Sequence, residues 1–205
     1  MKFKHGSKFI RDDGQLIRWW MGSDVLKLSC NPYPKNSLQY YTLYANRIFD
    51  FFCKVWVDQN WVVHERLIKP LNDYGIEVDA IVPDDPQKFP GFSKIPHDGI
   101  NVLYYHPTGG NQFYKDWVYC WDIIEQIIWQ NPGINFICVT GRMDMAKVYP
   151  IIDLYIRPSR WDGMPRMILE CQELGIPYYW DQSFEPTVEK VQEWVTIQSE
   201  QMKSQ

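Results

Sequence analysis

The sequence predicts an α/β protein with parallel sheets, divided into two small units. Short apolar runs typical of buried strands alternate with longer segments of helical periodicity along the 205 residues. Gly75 and Gly175 each end a helical pattern just before a strand-like run. A proline-rich stretch interrupts the alternation, so we expect a first unit over residues 1–83, a linker over 84–99 and a second unit over 100–205.

In the first unit, Leu16 begins a strand-like run that ends in the turn Gly22-Ser23-Asp24. Pro32 and Pro34 then mark a loop, and Ser37 is suited to capping the next helix. The predicted elements are a strand over residues 16–25, a helix over 38–52, a strand over 55–57, a helix over 61–74 and a strand over 76–82.

The linker contains Pro86, Pro90 and Pro96, which disfavour helix, and few apolar residues. Beyond it, Pro165 is suited to the first turn of a helix that Gly175 ends. The predicted elements of the second unit are strands over residues 100–105, 134–139, 154–156 and 176–180, and helices over 114–130, 145–149, 165–174 and 186–202.

Composition excludes several classes of protein. Apolar residues make up 45% of the chain and charged residues 22%, which is typical of a folded globular protein rather than a disordered one. The net charge of −4 disfavours a nucleic-acid partner. The five cysteines form no Cys-x-x-Cys pair and no histidine stands at metal-ligand spacing, so we expect reduced thiols, no metal site and no cofactor. No segment has the ~20 apolar residues of a membrane span, so the expected location is cytoplasmic, either free or peripheral at a membrane.

The stretch from residue 153 to 180 contains the richest set of candidate site residues. A strand, a loop and a helix follow one another there, and ligands of open parallel sheets bind at the edge where strands end. The backbone amides of Gly163 and Met164 would suit an anion, and Arg157, Arg160 and Arg166 could add charge-assisted contacts. The alternative is that Ser159 or Asp162 only caps the helix and that Glu170 lies on its solvated face.

This stretch, DLYIRPSRWDGMPRMILECQELGIPYYW, resembles the signature of retaining GT-B glycosyltransferases, in particular the large family 4. The matching positions are Pro158, Ser159, Asp162, Gly163, Pro165, Glu170, Gly175 and Pro177. The resemblance implies that Glu170 hydrogen-bonds the ribose of a nucleotide and that Asp162, where the family usually has Glu, faces the donor sugar.

Residues 100–142 are similar to the opening strand, glycine-containing loop, helix and second strand of the family's nucleotide-binding half. Gly109 and Gly110 would let the loop approach the donor, and Lys115 or Arg142 could face its diphosphate. For these two cations a solvated surface position is the alternative. The segments RWWMGSDVL and WVVHERLIKPLNDYGIEVDAIVP look like parts of the family's other half.

The resemblance implies a GT-B-like fold of two Rossmann-like units with parallel sheets, the N-terminal one an incomplete acceptor-side unit. It also implies metal-independent transfer of a sugar, with retention, from a nucleotide-sugar donor to a sugar, lipid-linked or protein acceptor. Without a metal, positive groups such as Arg160 and helix-end amides must meet the charge on the departing diphosphate. A noncatalytic nucleotide-sugar-binding subunit and an isomerase of the same fold remain as alternatives.

A chain that lacks the first strands of its acceptor half should expose apolar surface, and such surfaces seek partners. Trp19, Trp20, Phe49 and Phe52 are the aromatic residues expected near that gap. We therefore expect self-association or docking on a partner subunit through residues 16–57. The alternative is that these rings pack into a small local core.

Overall fold

The structure, a computed structural model, describes residues 8–20, 57–108, 112–140, 143–181, 183 and 185–204, with the backbone alone at residues 8, 113 and 114. The chain divides into two compact units. The first contains residues 1–85 and 161–165, and the second contains residues 86–160 and 166–205. The loop over residues 161–165 therefore packs with the first unit although its neighbours in sequence belong to the second.

The first unit contains a mixed four-stranded sheet, in the order β1 (Lys8–Asp12), β2 (Gln15–Trp20), β3 (Gln59–Val62) and β4 (Ala80–Ile81). Strands β2, β3 and β4 run parallel, as expected, but β1 pairs antiparallel with β2. The expectation of a purely parallel sheet is wrong at this hairpin. Its turn residues Asp13 and Gly14 have φ values of 44° and 85°, which is the left-handed backbone that a two-residue hairpin turn requires.

Residues Trp61 and Val62, expected at the start of a helix, lie in β3 instead. The helical segment begins later, with a 3₁₀ turn at Glu65–Leu67 followed by α1 (Ile68–Asp73). The core of this unit comprises Trp20, Val62, Val63, Leu67, Leu71 and Ile76, with Trp161 and Met164 packed against it. The predicted helix over residues 38–52 and nearly all of the predicted strand over 55–57 lie outside the described residues.

The second unit is a parallel sheet in the order β6 (Ile134–Val139), β5 (Ile100–Tyr105), β7 (Leu154–Arg157) and β8 (Tyr178–Trp180). All three pairings are parallel. The predicted strands over 100–105 and 134–139 are confirmed to the residue, and β8 is two residues shorter than expected at its start. This parallel α/β architecture is compatible with a Rossmann-like unit.

The helices of the second unit are α2 (Gln112–Val118), α3 (Trp121–Gln130), α4 (Met145–Val148), α5 (Arg166–Leu174) and α6 (Val188–Lys203). The single helix expected over 114–130 is wrong, because the chain breaks at Cys120. This residue has φ 53° and ψ 48°, a left-handed conformation that cannot continue a helix. Its buried side chain joins the core of the unit.

Successive side chains of a strand point to opposite faces of the sheet, so their contacts show which helices pack on each face. Ile100, Val102 and Leu154 share a core cluster with Ile124 of α3 and Val195 of α6. Strand neighbours point to the opposite face, where the Tyr155 hydroxyl lies 3.7 Å from the Met167 sulfur of α5. Burying each such aliphatic side chain contributes about 1.5–3 kcal/mol to the stability of the fold. This packing holds the sheet between the helices and so fixes the positions of the strand ends.

The segment over residues 84–99 contains no helix or strand, as its prolines predict. From residue 86 onward it packs on the second unit. The Ile95 amide donates to the Pro150 carbonyl at 2.8 Å, and the Phe89 ring meets the Tyr149 ring edge-on. Among the described residues, no helix is both long and apolar enough to cross a membrane.

Candidate functional site

The order of strands in the second unit defines a candidate site at its carboxyl edge. From β5 the chain crosses to β6 on one side, and then returns past β5 to β7 on the other. The reversal lies between β5 and β7, and ligands of open parallel sheets bind in the crevice outside the strand ends at such a point. The residues that follow β5 and β7 there include His106, Thr108 and Ser159. We call this the carboxyl-edge site.

His106 directly follows β5 and is held by three neighbours. Its Nε2 lies 2.8 Å from Asp116 Oδ1, and Gln112 Nε2 donates to the same carboxylate at 2.6 Å. The ring stacks on Trp121, with centroids 4.6 Å apart and planes 12° apart. Within the described part of the chain, Nδ1 of His106 makes no hydrogen bond, so it is available to a ligand hydroxyl or, when protonated, to a phosphate oxygen.

Ser159, two residues beyond the end of β7, is fully buried. Its hydroxyl has no hydrogen-bond partner among the described residues. A buried hydroxyl without a partner loses its hydration without compensation, so it marks either strain or a missing partner. Because Ser159 stands at the strand reversal, a bound ligand is a natural candidate for that partner.

Lys115 lies on α2, and its ammonium donates to the Thr108 carbonyl at 2.8 Å. This contact brings the cation to the loop that follows β5, where the resemblance expects the diphosphate. The other predicted donor-binding residues of this region, Gly109, Gly110 and Arg142, lie outside the described residues.

Arg160 faces a protein carboxylate. Its two terminal nitrogens donate to the two oxygens of Asp122 at 2.9 and 2.6 Å, and Nη1 also donates to the Trp117 carbonyl at 3.0 Å. This bidentate pair lowers the pKa of Asp122 and raises the pKa of Arg160. The guanidinium predicted to face a diphosphate therefore ties the end of β7 to the start of α3.

Arg157, the last residue of β7, is 7% exposed. Its guanidinium carbon lies 4.6 Å from the ring centroids of both Tyr105 and Tyr119. The two rings meet edge-to-face with centroids 5.3 Å apart, and a cation within about 6 Å of a ring centroid is attracted by the ring quadrupole. Arg157 thus links the ends of β5 and β7 beneath the carboxyl-edge site.

The loop with Asp162, Gly163 and Met164 belongs to the first unit. Met164 packs against the core of that unit, Gly163 is buried, and Asp162 is half-buried. The structure therefore groups these three predicted residues with the first unit and does not group them with Ser159.

Glu170 lies on α5 and is 3% exposed. Its carboxylate accepts a hydrogen bond from the Tyr149 hydroxyl at 2.5 Å and one from the Gln87 amide at 3.2 Å. Burial and this hydrogen bond raise the pKa of Tyr149. The carboxylate predicted to bind ribose thus has two partners within the protein.

The structure brings Ser159 and Lys115 to the strand ends, and it adds residues that the sequence reasoning missed. His106, Asp116 and Gln112 were not predicted as site residues. The available signal was the position of His106 immediately after a strand, with Asp116 ten residues further along on a helix. Within the described part of the chain, no group of three or more His, Cys, Asp or Glu side chains could hold a metal ion.

No protein-family model and no curated protein matches this chain. The class that the fold defines is a two-unit α/β protein whose second unit has a parallel sheet with a strand reversal.

Proposed function

We propose that the carboxyl-edge site binds the nucleoside diphosphate part of a nucleotide-sugar, and that the protein is a metal-independent, retaining glycosyltransferase with a GT-B-like fold. One observation carries the proposal. The strand reversal between β5 and β7 is bordered by two polar groups without a partner in the described chain, Nδ1 of His106 and Oγ of Ser159. The signature over residues 153–180 supports the same assignment.

The residues divide into two groups by their contacts. Ser159 and His106 have free polar atoms and would hydrogen-bond the donor directly. Lys115 is already at the Thr108 carbonyl and would meet the diphosphate with its remaining N–H groups, together with Gly109, Gly110 and Arg142. Asp162, Gly163 and Met164 belong to the first unit and are left out of the proposed site.

Glu170 can serve the ribose only if it exchanges partners. Its hydrogen bonds from the Tyr149 hydroxyl and the Gln87 backbone N–H would give way to hydrogen bonds from the ribose hydroxyls. If this exchange occurs, a folded Glu170→Ala protein will bind nucleotide more weakly by about 1.5–3 kcal/mol, the scale of hydrogen bonds to a charged group.

In the proposed reaction, the bond between the anomeric carbon and the diphosphate oxygen breaks while the acceptor oxygen bonds to the same face of that carbon. The acceptor's proton passes to the departing diphosphate. The barrier falls as positive groups meet the growing negative charge. Lys115 and Arg142 would supply that charge, whereas the charge of Arg160 is met by Asp122. The acceptor would be a sugar, a lipid-linked sugar or a protein.

A noncatalytic nucleotide-sugar-binding subunit is the second candidate. The observation that favours it is that Arg160 and Glu170 both satisfy their charges inside the protein. Such a protein would bind the donor but leave turnover to a partner, which would dock through residues 16–57. Trp20, expected near that surface, is 1% exposed in the core of the first unit, and Phe49 and Phe52 lie outside the described residues.

Calorimetric titration of the full chain with uridine, guanosine and adenosine diphosphates, in EDTA, tests the binding step. The proposal expects one of them to bind in the chelator, whereas binding restored only by Mn²⁺ or Mg²⁺ would contradict the metal-independent chemistry. Incubation with the matching nucleotide-sugars then separates the two candidates. A transferase slowly releases sugar with its anomeric configuration retained, and a binding subunit releases none.

A further inference from the structure

A second cavity lies at the other edge of the same sheet. This groove of about 990 Å³ is formed where the strands begin, since Gly99, Gly133, Asp153 and Pro177 each directly precede one of the four strands. One wall is the last two turns of α6, and another is the segment over residues 94–97. We call it the amino-edge groove. All of its lining residues belong to the second unit.

Two residues that line the groove each have a buried polar atom without a hydrogen-bond partner within the described chain. Ser199, on α6, is 6% exposed and its Oγ is buried and unpaired. The Nδ1 atom of His97 is likewise buried and unpaired, while Nε2 of the same ring lies 3.4 Å from Asp153 Oδ2. The Ser199 hydroxyl can donate a hydrogen bond, and an imidazolium ring at His97 would donate from Nδ1 while Nε2 donates to Asp153, so an anionic acceptor would satisfy both atoms.

Lys94 supplies the charge that favours an anion. It lines the groove and forms no ion pair among the described residues. Burial lowers the pKa of its ammonium, and the nearby Asp153 offsets part of that effect. Asp153 itself is engaged, since its Oδ2 accepts from the Asn101 amide at 2.8 Å. The remaining charged residues of the lining are Glu200 and Lys203, whose opposite charges add no net charge to the groove.

The groove also offers apolar surface beside these polar groups. Ile95, which is 53% exposed, lines it together with Ile134 and Met202. An anion with a short apolar body would cover this surface and meet the polar groups at one end. The volume lies within the range of about 300–1,000 Å³ that is typical of small-molecule sites.

We infer that the amino-edge groove binds a small organic anion, whose carboxylate or phosphate group contacts Lys94, His97 and Ser199 and whose apolar body lies on Ile95 and Met202. This site is separate from the carboxyl-edge site and does not depend on the proposed glycosyltransferase function.

Calorimetric titration of the full chain with hexyl phosphate, hexanoate and hexanol tests the inference. One of the two anions should bind at least tenfold more tightly than hexanol, and the one that binds identifies the head group. Two variants locate the site. Lys94→Gln should weaken binding at least tenfold, with Lys147→Gln, an exposed lysine outside the groove, as its control. Gly133→Leu should abolish binding, because Gly133 lines the groove and a Cβ there meets no atom within 4 Å.

Ser199→Ala supplies a third variant that removes one atom without filling the cavity. It should weaken binding of the anion severalfold, while Ser159→Ala, the same change to a buried unpaired hydroxyl at the other edge, should not. Equal affinity for the anions and hexanol, no binding of either anion, or unchanged binding in folded Lys94→Gln and Gly133→Leu would overturn the inference. Nucleoside diphosphate binding should be unaffected by Gly133→Leu, so the two sites are tested separately.

Discussion

The Tyr149 hydroxyl donates a 2.5 Å hydrogen bond to the Glu170 carboxylate inside the second unit. Tyr149 is fully buried and Glu170 is 3% exposed, so the pair joins the turn before β7 to the helix after it, away from water. A buried charge is costly unless its hydrogen bonds are satisfied.

Tyr149→Phe will therefore destabilise the protein. It leaves a buried carboxylate with one donor fewer, which costs about 1–3 kcal/mol in the free energy of unfolding. Tyr178→Phe is the control, since its hydroxyl accepts an exposed hydrogen bond from Gln172, and a change within about 0.5 kcal/mol is expected there. Urea denaturation measures both, and equal effects would contradict a stabilising role for the buried pair.

The Arg160–Asp122 pair makes stability depend on pH. Because the hydrogen bond from Arg160 lowers the folded-state pKa of Asp122, the carboxylate contributes stability at pH values above its unfolded pKa of about 3.9. That contribution is lost as the pH falls through the folded pKa. Asp122 is 55% exposed, so the contribution is about 1 kcal/mol or less. Asp122→Asn should lower the free energy of unfolding at pH 7 and reduce the loss of stability as the pH falls. Denaturation at several pH values measures both effects.

Gly175→Ala will test the backbone conformation that ends α5. Gly175 has φ +67°, and an added Cβ would meet no atom within 4 Å, so the cost is conformational and about 1 kcal/mol. Gly133→Ala is the matched control, because Gly133 has the same open space without a left-handed φ. Thermal unfolding should show a loss for the first variant and no loss for the second.

Two cysteine thiols should resist modification in the folded protein. Cys120 and Cys171 are fully buried, and burial raises the pKa of Cys120 to about 12 and also raises the pKa of Cys171. The thiolate is the reactive form, so both should remain unlabelled by iodoacetamide near pH 8 and react in denaturant. Mass spectrometry of the labelled peptides reads out each cysteine, and labelling of either one in the native protein would contradict the packing described above.

Periodicity predicted the second unit well because its two central strands, β5 and β7, are buried on both faces, and its strands are bounded by turn residues. The run over residues 100–105 is apolar except for Asn101, ends before Pro107 and coincides with β5. The break at Cys120 could not be predicted, because a left-handed cysteine is held by its burial in the core and not by local preference.

In the first unit the sequence contained a signal that the periodicity argument did not use. The pair Asp13-Gly14 stands between two β-prone runs and is typical of a two-residue hairpin turn, which the structure contains. Trp61 and Val62 also fit the apolar spacing of a helix, but pairing with β2 places them in a strand. Tertiary pairing decided only the second case.

The candidate site was predictable only in part. The position of Ser159 after a strand followed from the pattern, whereas the partners of Arg160 and Glu170 did not. Asp122 and Arg160 are 38 residues apart, and Gln87 and Glu170 are 83 apart. Such contacts depend on the tertiary arrangement, which spacing along the sequence does not encode.

Ser159 provides the most direct test of the proposed nucleotide site. Its buried hydroxyl has no partner in the described chain, so Ser159→Ala should leave the free energy of unfolding unchanged or raise it by up to about 1 kcal/mol. If the hydroxyl binds a ligand, the same variant will bind nucleoside diphosphate more weakly. Ser199→Ala removes an equivalent hydroxyl at the other edge and should leave that binding unchanged.

The deciding measurement is calorimetric titration of the same nucleoside diphosphate into the unmodified chain, Ser159→Ala and Ser199→Ala. Our account predicts binding that Ser159→Ala weakens by about 0.5–1.5 kcal/mol, the scale of one hydrogen bond, and that Ser199→Ala does not alter. The absence of nucleotide binding to the unmodified chain, or equal affinities in all three proteins, would contradict the assignment of the carboxyl-edge site.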